Sequence, residues 1–199
     1  MEDEVTVAGF AGRLRASGQG NWLVDGAAVT GVAGAKTDLF LDPASGTETV
    51  NAPRLLIAPS EGDFQLSARV EVDFAGTYDA GVLLLWADEH TWAKLCFEFS
   101  PQREPMVVSV VTRGVSDDAN GFTVAGSTVW LRVSRLAGAY AYHASTDAVT
   151  WHFVRHFSLG DAEPEVGFEV QAPVGDGCTA RFTEISYAQT TLTDLRDGT

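Results

Sequence analysis

Lys94, Cys96 and Glu98 recur at alternate positions in Trp92-Ala93-Lys94-Leu95-Cys96-Phe97-Glu98-Phe99. In an extended strand this spacing puts all three, with Trp92, on one face and Ala93, Leu95, Phe97 and Phe99 on the other. The second set belongs in a core. The first joins an ammonium and a carboxyl to an indole, a set able to hydrogen-bond and stack on a polar ligand. The preceding run, residues 81–86, is apolar at both phases, as in a mid-sheet strand covered on both sides. A five-residue loop, 87–91, joins the two runs as a hairpin. If that loop is symmetric, Trp86 faces Trp92, Leu84 faces Lys94 and Val82 faces Cys96, and opposed residues share a face. Two indoles, one cation and one carboxyl then stand on an apolar floor, which suits a concave ligand site. Register decides the outcome, because a one-residue slip sends every side chain to the other face.

The remaining constellations are weaker. His152 and His156 fall on a run, 150–157, that reads as a strand. Four residues there span about 13 Å, so the two cannot share an ion, and surface histidines are expected. His143 comes near His152 if the hairpin closes at Asp147-Ala148, but two histidines without a third ligand make a poor zinc site. Ser116-Asp117-Asp118-Ala119-Asn120-Gly121 partly fits a calcium loop, yet Ser127 stands where a bidentate Glu is needed, so a polar turn is expected. No metal ligand set and no cofactor is assigned. There is no Gly-x-Ser-x-Gly, phosphate loop or dinucleotide glycine motif. Cys96 is expected as a buried, unreactive thiol. The same hairpin closure gives Tyr140, Tyr142, Trp151, Phe153 and Arg155 one face, readable as core aromatics with Arg at the rim or as a sugar-stacking platform.

These side chains need strands to hold them. Short runs rich in Val, Phe, Leu, Trp and Thr alternate with Gly, Asp, Asn, Pro and Ser, and no helical periodicity is visible. Strands are predicted at 22–25, 28–32, 64–72, 81–87, 91–99, 106–113, 128–135, 139–144, 150–157, 165–170 and 179–187. The fold class is all-β. The 199 residues fit one domain, with a core over about 8–188 and a polar, loose tail at 189–199. The 13 Lys and Arg against 27 Asp and Glu give a net charge of −14, which argues against nucleic acid and anionic lipid as partners. Met1-Glu2-Asp3-Glu4 is acidic where a secretory leader is basic, so a cytoplasmic protein with Cys96 and Cys178 as free thiols is expected.

A set of stretches, in order, carries a family resemblance. They are Thr37-Asp38-Leu39-Phe40, Gly62-Asp63-Phe64, Tyr78-Asp79-Ala80-Gly81-Val82 and the run from Trp92 to Glu98. Ser109-Val110-Val111-Thr112 with Ser116-Asp117, Leu131-Arg132-Val133-Ser134-Arg135, the run from Ser145 to Trp151, and Val166-Gly167-Phe168 complete it. Over about residues 20–187 the chain resembles the domain-of-unknown-function family that includes the yeast regulation-of-enolase protein. Ala148 departs from it, standing where that family's turn has Gly. The resemblance implies a concanavalin A-like jelly-roll β-sandwich of two antiparallel sheets, a fold shared by lectins and glucan hydrolases. Relatives that cleave glucans carry carboxylates at alternate positions on one strand. Here the matching strand offers only Glu98, whereas most glycosidases need two flanking carboxyls. A partner has to come from a loop, such as Asp117 or Asp118.

The expected function is therefore binding of a saccharide or similar polyhydroxylated small molecule or oligosaccharide in the concave face. Trp86 and Trp92 stack on it. Lys94, Glu98, Thr112 and Arg132 hydrogen-bond to it, and Asp117, Asp118 and Gln171 close the rim. The alternatives are a glycoside hydrolase-like enzyme using Glu98, and a protein-interaction module of the regulatory kind the yeast relative implies. Calcium remains open.

Overall fold

A computed structural model describes residues 4–10 and 12–199. Met1, Glu2 and Asp3, on which the leader argument rests, lie outside the described residues. Every regular element among the described residues is a strand. In chain order these are β1 (Glu4–Thr6), β2 (Arg13–Ser17), β3 (Gly20–Asp25), β4 (Ala28–Gly34), β5 (Leu39–Leu41), β6 (Glu48–Val50), β7 (Arg54–Ile57) and β8 (Phe64–Val72). Then follow β9 (Ala80–Asp88), β10 (Thr91–Phe99), β11 (Pro105–Arg113), β12 (Ser116–Thr123), β13 (Thr128–Leu136), β14 (Ala139–Ser145), β15 (His152–Phe157), β16 (Glu165–Gln171) and β17 (Gly177–Ala188). An eight-stranded antiparallel sheet runs β1-β2-β7-β16-β9-β10-β11-β12, and a seven-stranded one runs β15-β14-β13-β8-β17-β4-β3. The fold is a jelly-roll β-sandwich.

Alternation builds the core between the sheets. β8 buries Phe64, Leu66, Ala68, Val70 and Val72 and leaves the residues between them half-exposed. Leu83, Leu85, Ala93, Leu95 and Phe97 meet them from β9 and β10. The opposite phase of β9 and β10 is buried as well, which explains why residues 81–86 are apolar throughout. Val82, Leu84, Trp92 and Cys96 lie in a second apolar cluster with Leu39, Leu41 and Ala52. That cover is the separate hairpin β5–β6 and its flanks. It lies on the eight-stranded sheet's outer face and turns an open trough into a pocket.

β16 carries part of that face between β7 and β9. Gly167 keeps it close to β7, because a Cβ there would sit 2.1 Å from the Leu55 carbonyl oxygen. Backbone cannot yield as a flexible side chain can. Gly167→Ala is expected to lose about 1–3 kcal/mol, read as a lowered urea midpoint at unchanged m-value.

Three expectations need correction. Residues 116–123 form the edge strand β12, paired with β11, rather than a polar turn or calcium loop. Extended backbone sends Asp117 and Asp118 to opposite faces, so they cannot converge on one ion. In the 139–157 hairpin a register shift lies between Tyr142 and His143, so Tyr142 opposes Arg155 but His143 opposes Phe153 and His152 opposes Ala144. Tyr140 and Tyr142 join the core, while Phe153 meets the His143 ring edge-on at 5.8 Å. The five-residue face is thereby split, and His143 and His152 are not partners. Ala148 takes φ 62° at the tip, and Asp147 stabilises the turn by accepting bonds from the Val149 and Thr150 amides at 2.8 and 2.7 Å. Third, the tail is not loose: Arg132 donates to the Gly198 carbonyl at 2.6 Å, His143 Nε2 lies 2.9 Å from the Leu195 carbonyl oxygen, and Arg196 covers Phe153 at 4.6 Å.

Candidate functional site

The hairpin carrying the candidate residues has the expected face. Trp86 opposes Trp92, Leu84 opposes Lys94 and Val82 opposes Cys96. The turn is tighter than expected, since Asp88 pairs with Thr91, and a bulge between Thr91 and Trp92 restores the register that a longer symmetric loop would have given. Cross-strand pairing places Val110 and Asp118 beside Lys94, and sets Ala80 and Gln171 in line with Glu98.

A cavity of about 230 Å³ opens on this face, lined by Asp38, Phe40, Tyr78, Lys94, Glu98, Val108, Val110, Asp118 and Gln171. Lys94, only 2 % exposed, donates to Asp38 Oδ1 at 3.1 Å and Gln171 Oε1 at 2.8 Å. Gln171 in turn donates to the Tyr78 carbonyl at 3.0 Å. Tyr78 holds φ 69°, a sparsely populated conformation for a non-glycine residue, and its amide is fixed to the Phe99 carbonyl at 2.7 Å. Asp38 also receives the Leu39 amide at 2.7 Å, so one carboxylate ties the covering hairpin to the buried ammonium.

The electrostatics follow from burying one cation among several acids. Burial by itself lowers the Lys94 pKa, but Asp38 and Glu169 outweigh it and hold the ammonium charged. Burial pushes Glu98 up to about 8 against the pull of Lys94, and raises Asp118 in the same direction. Glu169 is 0 % exposed, both its oxygens lack a hydrogen-bond partner, and burial pushes it up to about 8. It opposes Val82 on β9, which opposes Cys96 on β10, so it shares the outer face with Lys94 and Glu98.

Of the sequence-predicted site residues, Lys94, Glu98, Asp118 and Gln171 meet at this cavity. The others lie elsewhere. Trp92 is 0 % exposed beneath the hairpin, so no ligand reaches its ring face. Trp86 is half-buried, and the Arg54 guanidinium sits 4.0 Å above its ring, where a sugar would have to stack. Thr112 is buried and bonds Ser116 at 2.9 Å, and Ser116 accepts the Leu41 amide at 2.9 Å, so this pair anchors the hairpin. Asp117 points to the other side of β12 and pairs with Arg155 at 3.1 Å. Arg132 belongs to the opposite sheet, where Leu131 and Val133 take the inward phase and its guanidinium stacks 3.6 Å over Trp151. Asp38, Phe40, Tyr78, Val108, Val110 and Glu169 were not assigned from the sequence. Asp38, Phe40 and Tyr78 sit in stretches that carry the family resemblance. Glu169 shares the phase of Gln171 on a strand whose other phase is Val166, Phe168 and Val170. Among the described residues no group of three or more His, Cys, Asp or Glu is placed to hold a metal. Cys96 and Cys178 are buried and unbridged.

Residues 18–190 match the family model described as "Protein of unknown function (DUF1349)". No curated protein matches the chain in sequence. Among solved structures, a functionally unknown protein from Saccharomyces cerevisiae superposes with TM-score 0.77 at 26 % identity, over 87 % of this chain and 97 % of that one. The GH43 protein BlXynB from Bacillus licheniformis gives 0.69 at 11 % identity, over 85 % of this chain but 34 % of its own. This chain thus spans about a third of that protein. A legume lectin-like domain from Entamoeba histolytica gives 0.56 at 11 % identity, over 88 % and 90 %. At that identity the last two show the fold alone.

Proposed function

The chain belongs to the DUF1349 family, and on that premise we propose that its cavity binds a saccharide or similar polyhydroxylated small molecule without cleaving it. One observation carries this reading: Lys94, Glu98, Asp118 and Gln171 converge with Phe40 and Tyr78 in one cavity on the outer face of a lectin-like sandwich. Carboxyls, an amide and an ammonium match hydroxyls as donors and acceptors, and the two aromatic side chains and two valines supply an apolar wall. At about 230 Å³ the cavity lies below the roughly 300–1,000 Å³ of drug-sized sites, which suits a single sugar unit entering end-on.

A hydrolase reading has one specific observation in its favour. Glu98, pushed up to about 8, is protonated at neutral pH, as a general acid must be. Glu98→Gln separates the two. A receptor keeps its ligand within a few-fold in affinity, while an enzyme loses turnover by about a hundredfold or more with binding retained. Screening a glycan array, then assaying the bound glycans for hydrolysis with wild type and Glu98→Gln, decides between them. A blank array together with a specific protein partner supports the interaction-module reading instead.

A further inference from the structure

The cavity's charge balance narrows the ligand class. Lys94 is the one ammonium among the lining residues, against the carboxyls of Asp38, Glu98 and Asp118. Lys94 spends two of its three N–H groups on Asp38 and Gln171. Asp38 is engaged by Lys94 and by the Leu39 amide. Glu98 and Asp118 line the same space and make no side-chain hydrogen bond among the described residues. Glu169 does not line the cavity, but it lies fully buried on the same sheet face with both oxygens unpartnered and adds a further carboxyl to the surroundings of Lys94. The lining thus carries three carboxyl groups against one cation, two of whose three N–H groups are already used. An anionic ligand meets three carboxyl groups and a cation already held by Asp38 and Gln171. A neutral polyol satisfies them only through hydroxyls, whereas an ammonium makes charge-assisted hydrogen bonds, roughly twice as strong as neutral ones. A divalent cation fits poorly, because the Lys94 ammonium shares the space and calcium requires 6–8 oxygens.

Building on the saccharide reading, we propose that the ligand carries a protonated amine beside its hydroxyls, as an amino sugar does, and that the ammonium is received by Glu98 and Asp118. Binding then moves a proton. In the empty cavity burial pushes Glu98 up to about 8, so the carboxyl is protonated in mildly acidic solution. An ammonium beside it favours the carboxylate, and the proton leaves to buffer.

Calorimetry at about pH 6 in two buffers of different ionisation enthalpy, with 2-amino hexoses, their parent hexoses, the matching uronates and calcium chloride, tests this. The amino sugars are expected to bind about tenfold or more tighter than the parents, with the uronates weakest and up to about one proton released per ligand. Glu98→Gln is expected to abolish the proton release, and Asp118→Asn to reduce the amine preference to about threefold or less, both with the all-β circular dichroism spectrum of the wild type. Parent hexoses binding as tightly as the amino sugars, or heats independent of buffer, overturn the amine and leave the saccharide reading standing. Saturation by calcium alone also overturns the amine. If no sugar of any class binds, the saccharide reading fails and the amine with it.

Discussion

Lys94→Met is expected to melt roughly 10 °C below the wild type at neutral pH. Methionine nearly conserves the volume, so the loss reports charge rather than a cavity. The ammonium is 2 % exposed, and it is the group that holds Asp38 and the amide oxygen of Gln171. Its removal leaves Asp38 without this cation partner and Glu98 and Glu169 without the positive charge that most favours their ionised form. Breaking a buried pair by deleting one partner costs about 3–5 kcal/mol, and each kcal/mol moves the melting point about 2–4 °C in a chain of this size. The same substitution unties the covering hairpin, since Asp38 precedes β5 directly, so amide exchange over residues 38–52 should accelerate selectively. The deficit should shrink in acid as the carboxyls protonate. A melting point within about 3 °C of wild type would show that the ion pair does not anchor the hairpin.

Stability of the wild type is expected to fall as pH rises from about 5 to about 8, the reverse of ordinary acid denaturation, and Glu169→Gln should flatten that slope. A glutamate in the unfolded chain releases its proton near pH 4.5, whereas native Glu169 holds its proton up to about 8. Between those values the native state binds more protons than the unfolded chain, so unfolding free energy declines with pH. The stabilisation is complete below the unfolded pKa and is gone once pH has passed through the folded one. For a group this deeply buried the loss is on the order of 2–4 kcal/mol. Glu98 acts in the same direction, by less because it is partly exposed to solvent. Asp147, held down at about 2 by the Thr150 and Val149 amides, acts oppositely: its contribution is lost only as pH falls below the usual carboxylate range. Urea unfolding across this range, for wild type and Glu169→Gln, checks the claim. Parallel slopes for the two proteins would contradict it.

Much of this architecture is legible as period-two alternation, since β8, β10 and β16 each show one apolar phase long enough to identify. The face shared by Lys94, Cys96 and Glu98 follows from the same rule. Less legible is what lies on top of that face. β5 and β6 are three residues each, too short for alternation to register, yet they bury Trp92 and turn a trough into a pocket. The stacking assigned to Trp86 and Trp92 fails for that reason: an aromatic on the correct face is still silent when a hairpin or an arginine covers it. β12 is not legible in the sequence because Ser116-Asp117-Asp118-Ala119-Asn120-Gly121 has turn-like composition, and only its pairing with β11 makes it extended. Arg132 shows the limit of reading strands singly, since nothing within its own strand says which sheet the strand will join.

The most direct test of the central claim is a crystal structure of the protein with a saccharide selected on the array. The expected result is one sugar unit seated between Phe40 and Tyr78, its polar groups on Glu98, Asp118 and Gln171. A sugar bound at another surface, such as the Trp151 face of the seven-stranded sheet, with this cavity filled only by water, would contradict it.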